Sequence, residues 1–153
     1  MKHLLLSLLL SGSAAAHTHS DHPTKPVAGA PKVIPFSKVK SFTNNGNTLK
    51  GLATKSHGAK EHEVWHSSVA PKSRTPLHIH NSEETFVILK GSGVLKVGDK
   101  TIPFKAPSTV IAPAGVQHQL INTGDVPTEQ IVIIGIDSEI KAGGKVLKLP
   151  WRN

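Results

Sequence analysis

Residues 84–104 read ETFVILKGSGVLKVGDKTIPF, and this stretch decides the fold class. Short runs rich in apolar, β-branched and aromatic residues occupy 84–89, 94–97 and 101–104. Turn residues separate these runs, Gly91-Ser92-Gly93 first and Gly98-Asp99 second. Apolar runs of this length divided by glycine turns predict strands, and the second and third runs predict a hairpin.

The same pattern extends along the chain from Val33 onward. Asn44-Asn45-Gly46-Asn47 predicts a tight turn. Further strands are predicted over 61–69, 77–80, 109–112, 118–122 and 129–136. We find no amphipathic helix of ten residues, no internal repeat and no glycine-rich phosphate loop leading into a helix. The sequence therefore predicts an all-β fold, a single barrel or sandwich domain over residues 33–153.

The N-terminal residues have the pattern of a secretory signal. Residues 1–16 combine a short polar start, a leucine-rich core and a small-residue tail, which predicts cleavage before His17 and a secreted or periplasmic protein. Residues 17–32 are polar and rich in histidine and proline, which predicts a flexible arm. A new terminus reading His17-Thr18-His19 could bind Cu(II) or Ni(II) in a square-planar site, or it could be a solvated tail.

Composition excludes several classes of protein. The chain has no cysteine, which rules out disulfides, thiolate metal sites and iron–sulfur clusters. No apolar run approaches the roughly 20 residues of a membrane-spanning helix. The net charge is +8, from 18 basic and 10 acidic residues, but the lysines are scattered singly and predict no nucleic-acid surface. The positive field favours anionic ligands.

Two groups of residues carry the chemistry. His78 and His80 are two residues apart, so on a strand they project from one face, and Glu84 opens the next strand after a short turn. A turn containing Pro113 and Gly115 delivers His118 at the start of another strand. Imidazoles and a carboxylate that converge on one point suit a divalent transition metal.

The spacing of these residues resembles that of the cupin superfamily. The first cupin motif matches at His78, His80, Glu84 and Gly91, and the second matches at Pro113, Gly115, His118 and Asn122. The glycine that usually opens each motif is replaced here by Lys72 and by Pro107. The resemblance implies a cupin-type β-barrel, or jelly roll, with a metal held by the three histidines and the glutamate.

Over roughly residues 50–151 the chain also resembles the plant auxin-binding proteins. The similar segments are Glu61–Trp65, Arg74–His80, Glu83–Phe86, Leu89–Gly93 and Val146–Trp151. In that family a zinc ion binds the carboxylate of the ligand and an apolar, aromatic pocket holds its ring. The resemblance implies metal ligands at His78, His80, Glu84 and His118, and pocket residues at Trp65, Thr75, Pro76, Phe86 and Trp151. Unlike the plant proteins, this chain has no cysteine.

The alternation of residues 61–69 bears on one pocket residue. Glu63, Trp65 and Ser67 share one face of the predicted strand, and His62 and His66 share the other with Val64. Trp65 could therefore stack on an aromatic ligand inside the barrel, or it could be ordinary core packing. We interpret His62 and His66 as surface or subunit-interface residues.

Three classes of function remain open. The first is a secreted protein that binds a small, aromatic carboxylate at one divalent metal, with zinc favoured. The second is a cupin metalloenzyme, an oxidase, dioxygenase or decarboxylase that uses manganese or iron on a small organic acid. The third is a structural or storage protein with a vestigial metal site. Glu83 should point away from the site and Gln117 cannot titrate, so the motifs offer no extra acid or base, which favours binding. The resemblance also implies a homodimer.

Overall fold

A computed structural model describes residues 30–152 of the 153-residue chain. The predicted signal segment 1–16 and residues 17–29 of the predicted arm lie outside the described residues. The chain divides into two units after Pro31, and the fold below is that of the second unit.

Residues 32–152 form twelve strands and two single-turn 3-10 helices. The first six strands are β1 (Phe42–Asn44), β2 (Asn47–Ala53), β3 (His62–Val69), β4 (His78–His80), β5 (Glu84–Lys90) and β6 (Ser92–Val97). The others are β7 (Lys100–Lys105), β8 (Ser108–Ala112), β9 (His118–Asn122), β10 (Thr128–Gly135), β11 (Ile140–Ala142) and β12 (Lys145–Val146). The 3-10 turns are Phe36–Lys38 and Lys55–His57. No helix of the described residues is long and apolar enough to cross a membrane.

The strands pair into two antiparallel sheets of six. The first sheet has the order β1-β2-β3-β10-β5-β8, and the second has the order β12-β11-β4-β9-β6-β7. From β3 to β11 consecutive strands alternate between the sheets, except that β6 and β7 form a hairpin within the second sheet. This is the connectivity of a double-sheet jelly roll. The prediction of an all-β barrel is confirmed.

The core lies between the two sheets because each strand alternates buried and exposed side chains. In β10, Thr128, Gln130, Val132 and Ile134 are buried, and the residues between them are partly exposed. The buried apolar cluster takes residues from both sheets, including Trp65, Val69, Phe86, Ile88, Leu95, Phe104, Leu120 and Val132. Burial of these side chains supplies the main driving force for folding.

In two turns of the described residues, a residue other than glycine has a left-handed backbone. Asn45 and Gly46 connect β1 and β2 with φ values of 47° and 76°, which is the turn predicted from the Asn-Gly sequence. Lys72, which stands where the cupin motif usually has glycine, has a φ of 59°. The backbone at Lys72 therefore has the conformation that glycine would favour. The side chain of Lys72 forms an ion pair with Asp125, with Nζ 2.9 Å from Oδ1.

The observed strands agree with those predicted from the pattern to within two residues at either end. The structure also contains β1, β2, β11 and β12, which the sequence pattern did not predict as individual strands. The last two extend the second sheet beside β4, where Ile140 pairs with His80. They therefore flank the residues considered next.

Candidate metal centre

Four side chains from three strands meet between the sheets. His78 and His80 project from β4, His118 opens β9, and Glu84 opens β5. His78 and His118 are direct cross-strand partners in the second sheet, while Glu84 comes from the first. One potential ligand atom from each of the four lies within 4.8 Å of the others, and all four residues are buried. The structure thus brings together the whole set implied by the sequence.

The carboxylate of Glu84 is the centre of this cluster. Its Oε2 lies 2.8 Å from Nε2 of His118, 3.2 Å from Nε2 of His80 and 3.6 Å from Nε2 of His78. The Nε2 atoms of His80 and His118 are 3.1 Å apart. One oxygen and three nitrogens therefore converge on a single point.

Backbone carbonyls fix the orientation of the three rings. Nδ1 of each ring donates to a carbonyl two residues away: His78 to Pro76 at 2.8 Å, His80 to Ser82 at 2.5 Å and His118 to Val116 at 2.9 Å. A carbonyl oxygen can only accept, so the proton of each neutral ring is on Nδ1 and the lone pair is on Nε2. All three lone pairs then face the cluster, which is the arrangement that a metal ion requires.

The electrostatics of the cluster also suit a cation. Burial alone would raise the pKa of Glu84. Without a metal ion, a ring that takes up a second proton on Nε2 can donate it to the carboxylate, and such hydrogen bonds from His118, His78 and His80 hold the pKa of Glu84 well below its usual range. Burial alone would lower the pKa of His78, but the hydrogen bond and negative charge of Glu84 outweigh it and raise that pKa. The carboxylate is therefore ionised and places a negative charge where the three nitrogens meet.

The chemistry of the donors defines the class of ion that fits. Three imidazole nitrogens and one carboxylate oxygen suit zinc, manganese or iron, and the set contains no thiolate that would select a softer ion. The residues present fit a single divalent transition metal.

A narrow cavity adjoins two of the four residues. His78 and Glu84 contribute to its wall, and its free volume is about 80 Å³. The remaining lining is Asn47, Leu49, Trp65, Ser67, Thr75, Pro76, Phe86, Val132, Ile140, Leu147 and Leu149. Apart from His78 and Glu84, the lining contains no titratable side chain. The volume is below the roughly 300 Å³ of typical ligand pockets, so a bulky ligand requires the wall to move.

The structure brings four of the five predicted pocket residues to this cavity. Trp65, Thr75, Pro76 and Phe86 line it. Trp65 and Phe86 are also part of the apolar core, so these two side chains both pack in the core and line the cavity. The hydroxyl of Thr75 accepts a hydrogen bond of 3.0 Å from the backbone N–H of Leu120, which fixes its position.

Trp151 does not line this cavity. It lies behind Trp65, with ring centroids 6.0 Å apart, and its indole Nε1 donates to Oε1 of Glu63 at 2.8 Å. The other oxygen of Glu63 accepts from Nε of Arg152 at 2.6 Å. Trp151 instead borders a wider surface pocket of about 580 Å³ that contains none of the four clustered residues. Volume alone therefore does not mark the functional site.

Sequence reasoning missed several lining residues. Ser67 was recognisable, since it shares the interior face of β3 with Trp65. Leu147 and Leu149 follow β12 in a segment without regular periodicity, and no local pattern identifies them as wall residues.

A comparison with known protein families agrees with the fold and the cluster. Residues 65–134 match the sequence model of a family described as "Cupin domain". With its two sheets, its four-residue cluster and this match, the chain is similar to the proteins of the cupin superfamily.

Among its curated relatives, the chain is similar to the auxin-binding proteins. It is 41% identical to auxin-binding protein 1 of Arabidopsis thaliana over 87 residues, which cover 51% of this chain and 44% of the relative. The chain thus spans about half the length of the curated relatives of this kind that it matches.

Solved structures support the fold. The polyketide cyclase RemF from Streptomyces resistomycificus superposes with a TM-score of 0.64 at 19% identity, covering 80% of this chain and 90% of that one. Oxalate decarboxylase from Bacillus subtilis, described with Mn(II) centres, superposes with a TM-score of 0.64 at 19% identity, covering 71% of this chain and 31% of that one.

Proposed function

We propose that this protein binds a small carboxylate at one divalent metal held by His78, His80, Glu84 and His118. The observation that carries the proposal is the shared wall: the cavity adjoins the metal cluster at His78 and Glu84, and its other lining residues are uncharged. A divalent ion there would supply positive charge to a carboxylate group. The surrounding walls would exclude water and so strengthen that attraction.

The organic part of the ligand would lie against the apolar walls. Trp65 and Phe86 both pair with Val132 of β10, so the three form one layer across the cavity. An aromatic ring packed into this layer would gain about 25 cal/mol for each Å² of apolar surface that it buries. Resemblance to the auxin-binding proteins supports an aromatic acid, while the small volume supports a ligand with one ring or none.

Zinc is the favoured metal, because the auxin-binding resemblance implies it. Manganese is the alternative, supported by the Mn(II) centres named for the Bacillus oxalate decarboxylase. Elemental analysis of the natively purified protein distinguishes the two. One zinc per chain supports binding, since zinc has no redox chemistry, whereas manganese or iron supports the enzyme described next.

The second candidate function is a manganese- or iron-dependent enzyme that acts on a small organic acid. The small volume of the cavity favours it, because such an acid needs no movement of the wall. The lining offers no acid or base besides the metal-cluster residues, so the reaction would rely on the ion itself. Oxygen consumption with a panel of small organic acids tests this alternative.

Calorimetry on the zinc-loaded protein tests the binding function. Phenylacetate should bind, and indole-3-acetate should bind less tightly because its two fused rings require the cavity wall to move. The alcohol counterparts, 2-phenylethanol and indole-3-ethanol, should each bind much more weakly than the matching acid because they lack the anionic group. Removal of the metal with a chelator should abolish binding of the acids. Equal affinity for acid and alcohol, or full affinity without metal, would show that the carboxylate does not lie on the metal.

We also propose that the protein is exported after cleavage before His17 and that it forms a homodimer. The outer face of the first sheet supports the dimer, because partly or fully exposed apolar side chains cluster there. They are Val64, Val87, Ile111, Ile131 and Ile133. N-terminal sequencing of the mature protein and light scattering after size-exclusion chromatography test these two points.

A further inference from the structure

A buried polar pair lies at the end of the cavity away from the metal cluster. Gln130 of β10 is fully buried, and its Nε2 donates to Oγ of Ser67 at 2.9 Å. Ser67 lines the cavity beside Trp65. Among the described residues, Oε1 of Gln130 has no hydrogen-bond partner. A buried acceptor without a partner is costly, so this one calls for an explanation.

The pair has spare hydrogen-bonding capacity in either orientation of the amide. With Nε2 on Ser67, the serine hydroxyl keeps its own proton free to donate. With the amide reversed, Ser67 donates to Oε1 and keeps a lone pair free to accept. A ligand hydroxyl can both donate and accept, so it matches Ser67 in either arrangement.

The strand register separates this pair from the metal cluster. Along β10, Gln130 pairs with Ser67, and Ile134 pairs with Glu84. Four residues of strand span about 13 Å of backbone, so Ser67 and Glu84 face opposite ends of the cavity.

Apolar side chains fill the interval between the two polar ends. Val132 lies midway along β10 between Gln130 and Ile134, and it pairs with Trp65 on one side and Phe86 on the other. The cavity thus has a metal-binding end, an apolar middle and a hydrogen-bonding end.

We propose that Ser67, positioned by Gln130, selects aromatic acids that carry a hydroxyl group at the end of the ring opposite the carboxylate. This inference rests on the proposed function, since it needs the carboxylate at the metal. The ligand then satisfies both polar ends while its ring packs in the apolar middle. Ser67 is the contacting residue, and Gln130 acts through it.

Calorimetry with a matched pair of single-ring acids tests the proposal. The zinc-loaded wild type should bind 4-hydroxyphenylacetate about tenfold more tightly than phenylacetate, which is the worth of one hydrogen bond in a site sheltered from water. Ser67→Ala should remove this preference, so that the variant binds the two acids with affinities within about twofold of each other. Gln130→Met should also reduce the preference, because the serine hydroxyl loses its anchor.

Ser68→Ala is the control, since Ser68 lies on the outer face of the same strand and should keep the full preference. Equal affinity of the wild type for the two acids would overturn the proposal and would indicate that ordered water satisfies the pair. A preference that survives Ser67→Ala would overturn it as well. If phenylacetate binds without any preference, only this proposal fails. If neither acid binds the metal-loaded protein, the carboxylate-binding function fails too.

Discussion

The Nε2 atoms of His80 and His118 lie 3.1 Å apart, although the proton of each neutral ring is held on Nδ1 by a backbone carbonyl. Two nitrogen lone pairs at this distance repel each other unless positive charge lies between them or beside them. Glu84 adds a carboxylate oxygen within 3.2 Å of both nitrogens. The fold therefore holds three electron-rich atoms together at a place that a cation stabilises.

His80→Ala should abolish stoichiometric metal binding, measured by elemental analysis after dialysis against zinc. The wild type should gain thermal stability on zinc addition because the ion binds only the folded state, and the variant should lose this gain. His66→Ala is the matched control, because His66 lies on the outer face of the first sheet, 3.7 Å from Glu129. Full zinc retention by His80→Ala would contradict the assignment.

Zinc affinity should fall steadily as the pH is lowered through the range in which histidine takes up a proton, for which the ordinary pKa is about 6.5. A ring must be neutral to bind a metal, so protons compete with zinc for the three Nε2 atoms. Because the pKa of His78 is raised in the metal-free cluster, competition at this ring begins at a higher pH than it would for an ordinary histidine. Competition titrations with a zinc indicator between pH 5 and pH 8 measure the effect, and a flat profile would argue against histidine ligands.

Gly93→Ala should destabilise the protein by about 2 kcal/mol or more, since overpacking against a rigid neighbour commonly costs 1–3 kcal/mol. A Cβ atom at Gly93 would lie 2.2 Å from the carbonyl oxygen of Ile121 on the adjacent strand. Urea unfolding measures the change. Gly124→Ala is the control, because its Cβ would meet its nearest neighbours at 3.4 Å, an ordinary contact. A similar midpoint for both variants would show that the sheets relax around Gly93.

Glu63→Gln should destabilise the protein by about 3 kcal/mol, because it leaves the guanidinium of Arg152 without its buried counter-charge. Glu63 is 1% exposed and accepts hydrogen bonds from both Arg152 and Trp151. Chemical denaturation followed by tryptophan fluorescence reports this loss. Glu129→Gln, at a carboxylate that is 39% exposed, should cost less than about 1 kcal/mol. Equal costs for the two variants would mean that Glu63 gains little from its buried partners.

The fold and the cluster were predictable because their determinants are local. In β3 and β4, alternate residues lie on the same face of the strand, and this does not depend on the rest of the chain. The shared face of His78 and His80 and the inward position of Trp65 therefore follow from the sequence. The turn at Asn45-Gly46 is also local, since few other residue pairs accept its backbone angles.

The parts that were not predictable depend on distant partners. Trp151 was predicted to line the ligand pocket. Its indole N–H instead donates a hydrogen bond to Glu63, which lies 88 residues earlier in the chain, and the ring therefore packs behind Trp65. Likewise, Gln130 shows its significance only through its bond to Ser67, 63 residues away. No spacing within a strand indicates which polar side chains will meet across the interior.

The position of Glu84 in one sheet and the three histidines in the other has a consequence for folding. In a chain with no cysteine, an ion held by all four would act as a cross-link between the two layers, as a disulfide does in many secreted proteins. A slip of one residue in β9 would turn His118 to the solvent face and break this link. Tight metal binding would then indicate that the strands are correctly paired. In a cobalt-substituted sample, misfolded molecules would lack the visible absorption of the bound ion.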